Sequence, residues 1–518
     1  MTGQACDSLT LPRRSGTQGK QMKQSTMQKQ HWRAPQHTSN NLLTRRAFLK
    51  LAGTAFLATA AGCASKTAPP AATPSARGRA VEIALTAQEA SWELAPGKRI
   101  TAWTYNGSVP GHPIRVREGD HVRVLFTNRL SEPNTIHWHG VDVPAAMDGV
   151  PDLSQRAVQP GATFTYEFDA RPAGTRWYHT HADSARQLDL GLSAPLIIEP
   201  QAGDPGADRE YTLLLDDWVT GSLAPTPPPA DNGMMGGNMM GGMMDDAGPA
   251  YDTFTINGKA FPATAPLIVR QGERVRLRLI NASNMQTFVL SLAGHRLQVT
   301  HTDGNPLQQA VEVDALPIVP AERYDVIFVA DHPGRWPLYA LNRPHTQGGL
   351  KTLIVYEGSE SAPEAELPSL APGLRVWSYG LGQGVDRLPQ PSGHGATYQL
   401  TLSGGMMMSG DPNVWTINGK VYPQTDPLVA ERNQLISVRL SNMSMQTHPF
   451  HLHGQSFRVL RVGGQTLPAP LIKDTVDVPA MMGTVDLEIV AFNPGDWMFH
   501  CHKPMHMDGG MATLVKVA

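Results

Sequence analysis

The chain predicts an all-β fold of three tandem Greek-key β-sandwiches, on three observations. First, one pattern occurs three times: Ala102 opens AWTYNGSVPG, Thr253 opens TFTINGKAFP and Val414 opens VWTINGKVYP. Each is followed by a polar turn and an alternating run, REGDHVRVLFTN, RQGERVRLRLIN and ERNQLISVRLSN. Asparagines close these runs at Asn128, Asn281 and Asn442, which lie 22, 24 and 24 residues after Asn106, Asn257 and Asn418. Second, each repeat ends in Gly and Trp before a further strand, at Gly174 and Trp177, Gly334 and Trp336, Gly495 and Trp497. Third, 43 prolines and 49 glycines, with Val and Thr in short runs, favour strands and turns over long helices. A repeated supersecondary pattern of this kind reads as one sandwich design used three times. A length of 518 residues fits roughly three domains of about 150 residues.

In chain order the first element is a leader over residues 1–62. Thr44 to Lys50 reads TRRAFLK, a twin arginine followed by an uncharged run of 11 residues, Leu51 to Ala61. That run is too short to cross a bilayer and suits the apolar core of a signal peptide. The twin arginine points to export of an already folded protein by the twin-arginine machinery, hence to the periplasm or cell envelope. Met22 and Met27 offer alternative starts. The run ends Ala60-Ala61-Gly62-Cys63, like a lipoprotein boundary with Ala where Leu is usual, so Cys63 is a candidate lipid-anchor site beside ordinary cleavage.

Cys6 and Cys63 belong to the leader or its edge, which leaves Cys501 as the lone thiol of the folded body and allows no internal disulfide. An exported chain that keeps one thiol needs a reason, and metal ligation supplies it. Residues 1–62 carry nine Lys/Arg and one Asp, so their removal takes the formal charge from −2 to −10. An acidic body argues against nucleic acid as a partner and favours cations.

The three sandwiches are expected at 79–203, 208–360 and 372–518. Aligning them shows where a metal could bind. The third has MQTHPFHLHG with His448, His451 and His453; the second has MQTFVLSLAG, with Phe288, Ser291 and Ala293 in those places. The first has NTIHWHG with His137 and His139, and Asn134 opposite His448. The terminal strands agree: WYHTH gives His179 and His181 around Thr180, Trp336 leads only to Tyr339, Ala340 and Leu341, and the third repeat has His500-Cys501-His502. The second sandwich is therefore expected to hold no metal ligand at these positions and to act as a spacer.

The stretch Asn493 to Met511, NPGDWMFHCHKPMHMDGGM, adds His506 five residues after Cys501 and Met511 five further on. On a strand, alternate side chains face opposite ways, so Cys501 points to one side and His500 and His502 to the other. Two His, one Cys and a distant Met suit a blue copper electron-transfer site. Four HxH pairs result, His137/His139, His179/His181, His451/His453 and His500/His502, each with both imidazoles on one strand face. Eight histidines suffice for three coppers, and they come equally from the first and last sandwiches, so the cluster should lie between them.

The motifs HWHG, HTH, HPFHLHG and HCHKPMHMDGGM resemble those of the three-domain multicopper oxidases, whose domains are cupredoxin-like. The resemblance runs from about Val81 to the C-terminus and is greatest to the periplasmic copper-resistance oxidases of the CopA type, through DGVPDLSQ, AERYDV and the twin-arginine leader. It implies four copper ions. His448, Cys501 and His506 would hold the type 1 copper with Met511 axial, and His137 and His451 the type 2 copper. One type 3 copper would take His139, His179 and His502, and its partner His181, His453 and His500. Electrons would enter at type 1, pass through Cys501 and reduce O2 to two waters. Asp148 matches the family's proton-feeding acid, with an ordinary Asp-Gly turn as the alternative. Where some relatives have a second acidic relay the chain has Met507, with Asp508 as a candidate substitute.

Gly233 to Met244 reads GMMGGNMMGGMM, and further methionines stand at Met406 to Met408, Met443, Met445, Met481, Met482, Met505 and Met507. Thioether sulfur selects Cu(I), so a Met-rich loop could deliver Cu(I) as the electron donor for copper tolerance; a low-complexity surface loop is the alternative. Two other functions stay open: a laccase-like oxidase of small phenols, and a periplasmic copper store without turnover.

Overall fold

Asn-Gly pairs set the hairpins of all three repeats. Asn106, Asn257 and Asn418 have φ of 56°, 52° and 52°, and Gly107, Gly258 and Gly419 follow at 81°, 70° and 74°. Two successive left-handed residues make the turn whose twist matches an antiparallel hairpin. Each of these asparagines also stitches its turn to the first strand of its sandwich. The side-chain oxygens accept from the amides of Thr86, Leu214 and Thr401 at 2.8 Å each. Their amide groups donate to the carbonyls of Ala84, Thr212 and Gln399.

The structure, a computed structural model, describes residues 78–203, 206–220, 250–367, 373–405 and 409–518. The leader with Cys63, the Met-rich stretch 233–244 and Met406 to Met408 lie outside the described residues. Six sheets form among the described residues, two from each of the segments 80–199, 209–356 and 393–517. The architecture is all-β, three tandem cupredoxin-like sandwiches. In each, the first strand runs parallel to the alternating one that the closing asparagine ends: Ala80–Ala95 with His121–Asn128, Arg209–Trp218 with Arg274–Asn281, and Gly393–Gly404 with Gln434–Asn442. A cluster of buried apolar side chains runs from Leu85 to Val517 through all three. At about 1.5–3 kcal/mol for each large side chain removed from water, that shared core is what joins them.

The closing asparagines position the site. Asn128, Asn281 and Asn442 are fully buried. The side-chain amides donate to backbone carbonyls, those of Glu132 and Val158, of Gln286 and Ile318, and of Gln446, Val478 and Pro479. Each side-chain oxygen accepts from an amide two residues on. The loop beyond each asparagine is thereby held where it delivers the next strand, His137–His139, Phe288–Leu292 or His448–Leu452.

Candidate active site and metal centre

Strand register brings the histidines together in pairs. His137 lies opposite His179, and His451 opposite His500, in antiparallel ladders. The second sandwich repeats that register with Ser291 opposite Tyr339, so residues with no metal-binding nitrogen fill the equivalent positions. The expected HxH geometry needs one adjustment. His181, His453 and His502 lie just past the ends of the strands Gly174–His179, His448–Leu452 and Gly495–Cys501, because the chain leaves the sheet there. Their rings still reach the cluster.

The eight imidazoles of the four pairs are all buried. His137, His139 and His179 form one group whose nitrogens lie within 4.8 Å of one another; His137, His451 and His453 form a second, and His181, His453 and His500 a third. His453 Nε2 is 2.9 Å from His500 Nε2, and His137 Nε2 is 3.4 Å from His451 Nε2. His502 sits 5.1 Å from His139 and 5.2 Å from His179 between ring centroids. Burial first, then the neighbouring imidazoles, pushes His179, His181 and His453 well below the usual range, and burial takes His500 down to about 4. Such rings are neutral at neutral pH, the form that can ligate a metal.

Cys501 faces the other way, as expected from strand alternation. Its Sγ lies 3.5 Å from both His448 Nδ1 and His506 Nδ1, which are 3.1 Å apart. Met511 is fully buried in the same apolar cluster, its carbonyl accepting from the Cys501 amide at 3.1 Å and its amide donating to the His506 carbonyl at 2.9 Å. Trp415 stacks on His506 at 3.8 Å, and Ser444 Oγ meets His448 Nε2 at 2.8 Å.

Asp148, also buried, joins two of the pairs: Oδ2 accepts from His453 Nδ1 at 2.8 Å, and its backbone carbonyl accepts from His137 Nδ1 at 2.9 Å. That is more than a turn residue needs. Asp508, by contrast, is exposed, turned toward Asp183 and the backbone of Ala185.

Asp474 had no warning in the residue pattern, and His345 had one that went unread. Asp474 is fully buried, with Oδ1 3.1 Å from His139 Nε2. Burial raises its carboxyl, but Arg323 outweighs that and holds it well below the usual range. His345 sits on the helix Arg343–Gln347, which corresponds to Pro504–Asp508 with His506. The spacing His345, Gly348-Gly349, Leu350 echoes His506, Gly509-Gly510, Met511 and was a readable signal.

Orphaned nitrogens test whether the arrangement fits a metal. His139 Nδ1, His179 Nε2 and both nitrogens of His502 are buried without a hydrogen-bond partner. Buried polar atoms are normally paired, so this many in one cluster calls for a cation. Imidazole suits copper, and a thiolate beside two imidazoles suits it further.

Multicopper oxidase family models match residues 86–203, 209–359 and 397–518. The multicopper oxidase MmcO of Mycobacterium tuberculosis is 34% identical over 92% of this chain and 98% of its own length. Copper resistance protein A of Escherichia coli is 27% identical over 81% of this chain and 90% of its own. Among solved structures, a multi-copper oxidase from Pseudomonas thermotolerans superposes with a TM-score of 0.64 at 31% identity, covering 85% of this chain and 100% of that one. The chain belongs to the multicopper oxidase family, close to its copper-resistance members. It is an oxidoreductase that carries copper and uses oxygen as electron acceptor.

Proposed function

We propose that this enzyme oxidises Cu(I) to Cu(II) outside the cytoplasm, four Cu(I) and four protons being consumed for each O2 reduced to two waters. One observation carries the reading: a single strand, Gly495–Cys501, gives its sulfur to His448 and His506 on one face and His500 to the eight-histidine cluster on the other. Resident copper supplies the one-electron redox chemistry, and four ions match the ligands available. His448, Cys501, His506 and Met511 would hold one of type 1, and His137 and His451 one of type 2. His139, His179 and His502, with His181, His453 and His500, would hold the two of type 3. The backbone of Cys501 links the sulfur site directly to the cluster. Asp148, bonded to His453 and His137, would hold a proton where oxygen is reduced.

The division of labour follows the units 79–203, 208–360 and 372–518: half a cluster, no ligands, and half a cluster with the Cys site. Support for Cu(I) as donor comes from Met443, Met481 and Met482, 42%, 53% and 75% exposed. Met481 and Met482 both hold left-handed φ, 57° and 70°, and their amides bond the carbonyls of Ser444 and Asn442 beside His448. Two Met side chains in a conformation disfavoured for a long side chain, both turned to solvent, gain nothing from packing; as soft ligands next to the Cys site they have a use. Met-rich residues 233–244 would add to that supply. The leader would send the folded protein to the periplasm or cell envelope by the twin-arginine route, with Cys63 as a candidate lipid anchor. No helix among the described residues is long and apolar enough to cross a membrane.

Oxygen uptake by the copper-loaded protein tests this, with Cu(I) and then with a bulky phenol. Rapid uptake with Cu(I), diminished by deleting 231–246, is the expected result. Uptake with the phenol alone would make the enzyme laccase-like, and none with either donor would make it a copper store.

A further inference from the structure

We propose that the second sandwich, which brings none of the copper ligands assigned above, sets the geometry of the histidine cluster through Asp474, a positioning residue clamped by Arg323 and Arg176. The inference rests on the reading that these histidines hold copper.

Lys473 ends one strand of the third sandwich and Asp474 links it to the next, Thr475–Val478, and all three sandwiches meet there. Asp474, Lys473, Arg176, Arg323 and Asp303 are fully buried, and Glu322 nearly so. Arg323, from the second sandwich, donates NH1 to Asp474 Oδ1 at 2.6 Å and NH2 to Oδ2 at 2.5 Å. This is the bidentate fork that fixes a carboxylate in one plane. Arg176, from the first sandwich, reaches Oδ2 at 3.5 Å. Lys473 points the other way, into the second sandwich, at 3.1 Å from Asp303 Oδ2 and 3.0 Å from Glu322 Oε1. Three cations and three carboxylates thus neutralise one another across the boundaries.

The clamped carboxylate then acts on the cluster. Asp474 Oδ1 accepts from His139 Nε2 at 3.1 Å, with Thr475 Oγ1 at 3.2 Å from the same nitrogen. The Asp474 backbone carbonyl accepts from His451 Nδ1 at 2.8 Å. Since Nε2 of His139 is taken, the nitrogen it leaves for a metal is the orphaned Nδ1. His137, His451, His453 and His500 do the reverse, bonding through Nδ1 to the protein backbone or to Asp148. Asp474 itself is a poor candidate for a metal ligand, because Arg323 already occupies both of its oxygens.

A partner that orients a ligand alters metal affinity or activity typically 10–100-fold, whereas a contact that only joins domains alters stability. The experiment reads copper per chain by elemental analysis, the visible colour of the Cys501 site and the melting of the copper-free chain. It compares the wild type with Asp474→Asn, Arg323→Lys and Glu322→Gln. Asp474→Asn and Arg323→Lys are expected to bind cluster copper roughly 10–100-fold more weakly while keeping the Cys501 colour. Glu322→Gln breaks the same buried network without touching Asp474; it should lower the melting temperature and keep the full copper complement. Full copper in both Asp474→Asn and Arg323→Lys overturns the inference, as does parallel loss of colour and cluster copper in all three variants. If Asp474→Asn does not fold, Arg323→Lys decides by itself, since it keeps the charge and loses only the fork. A wild-type chain that takes up no copper would sink the copper reading itself, a result separate from these.

Discussion

The pocket that holds Cys501 has a counterpart in the first sandwich, filled differently. By strand register Asn134 stands where His448 does and Thr180 where Cys501 does, and Gln187 enters from the short helix that follows. Asn134 Nδ2 donates to Gln187 Oε1 at 2.6 Å and to Thr180 Oγ1 at 3.1 Å, and Thr180 Oγ1 donates to Gln187 Oε1 at 2.9 Å. Three polar side chains bond one another, Asn134 Oδ1 stays buried without a partner, and the pocket offers neither a thiol nor an imidazole. In the second sandwich the same place holds Phe288, Ala340 and His345, with the Phe288 and His345 rings 5.3 Å apart. One backbone design therefore accommodates a sulfur–imidazole set, a hydrogen-bonded amide and hydroxyl triad, and a phenylalanine beside a buried histidine that bonds Gln286. Which chemistry each pocket has depends on three side chains and not on the fold.

The sharpest break in that comparison should come from Cys501→Ser, expected to abolish both the intense visible colour and oxygen reduction. Thr180→Ser, at the matching position, should leave both intact. Colour or turnover persisting undiminished in Cys501→Ser would end the proposal. A smaller effect is expected of Gln187→Ala, which strips Asn134 and Thr180 of their shared acceptor. Leaving buried polar groups unpaired should lower the stability of the copper-free chain by about 2–3 kcal/mol in urea titrations without changing the colour. Loss of colour would mean that the first pocket supports the third.

His345 should sharpen the contrast through pH. Burial lowers its pKa from 6.5 to about 4, so the unfolded chain takes up the proton first as pH falls. That costs the folded state stability progressively below about pH 6.5, until His345 itself protonates near 4. At pH 5 the cost is about 2 kcal/mol. His345→Gln should therefore lose less stability than the wild type between pH 7 and pH 5, and equal losses would place the acid sensitivity elsewhere. The smallest effect is expected of Ser291→Ala, opposite Tyr339 at the positions of His451 and His500. It removes one hydrogen bond, to the Asp314 carbonyl, and should cost about 1 kcal/mol or less with copper content unchanged. A drop in copper per chain would show that the second sandwich contributes a ligand.

Much of this was legible before any coordinates. Asn106, Asn257 and Asn418 marked three copies of one unit in the sequence, and the backbone shows each opening an Asn-Gly hairpin. The histidine pairs could be read because a strand alternates its faces over two residues, and Cys501 between His500 and His502 implied a site on each side. Asp474 could not be read: its meaning comes from Arg323 and Arg176, 151 and 298 residues away along the chain. Nor could the helix turning Asp508 outward, where the candidate second proton relay faces Asp183 and not the histidines.

The sequence by itself determined the repeat, the strand faces and the place of His506 five residues after the sulfur, since these depend on spacing within a few residues. Only the tertiary structure decided which nitrogen of each imidazole faces inward. That choice belongs to hydrogen-bond partners such as Asp148 and Asp474, each of which reaches a ring from across a domain boundary. Local periodicity carries no information about such partners.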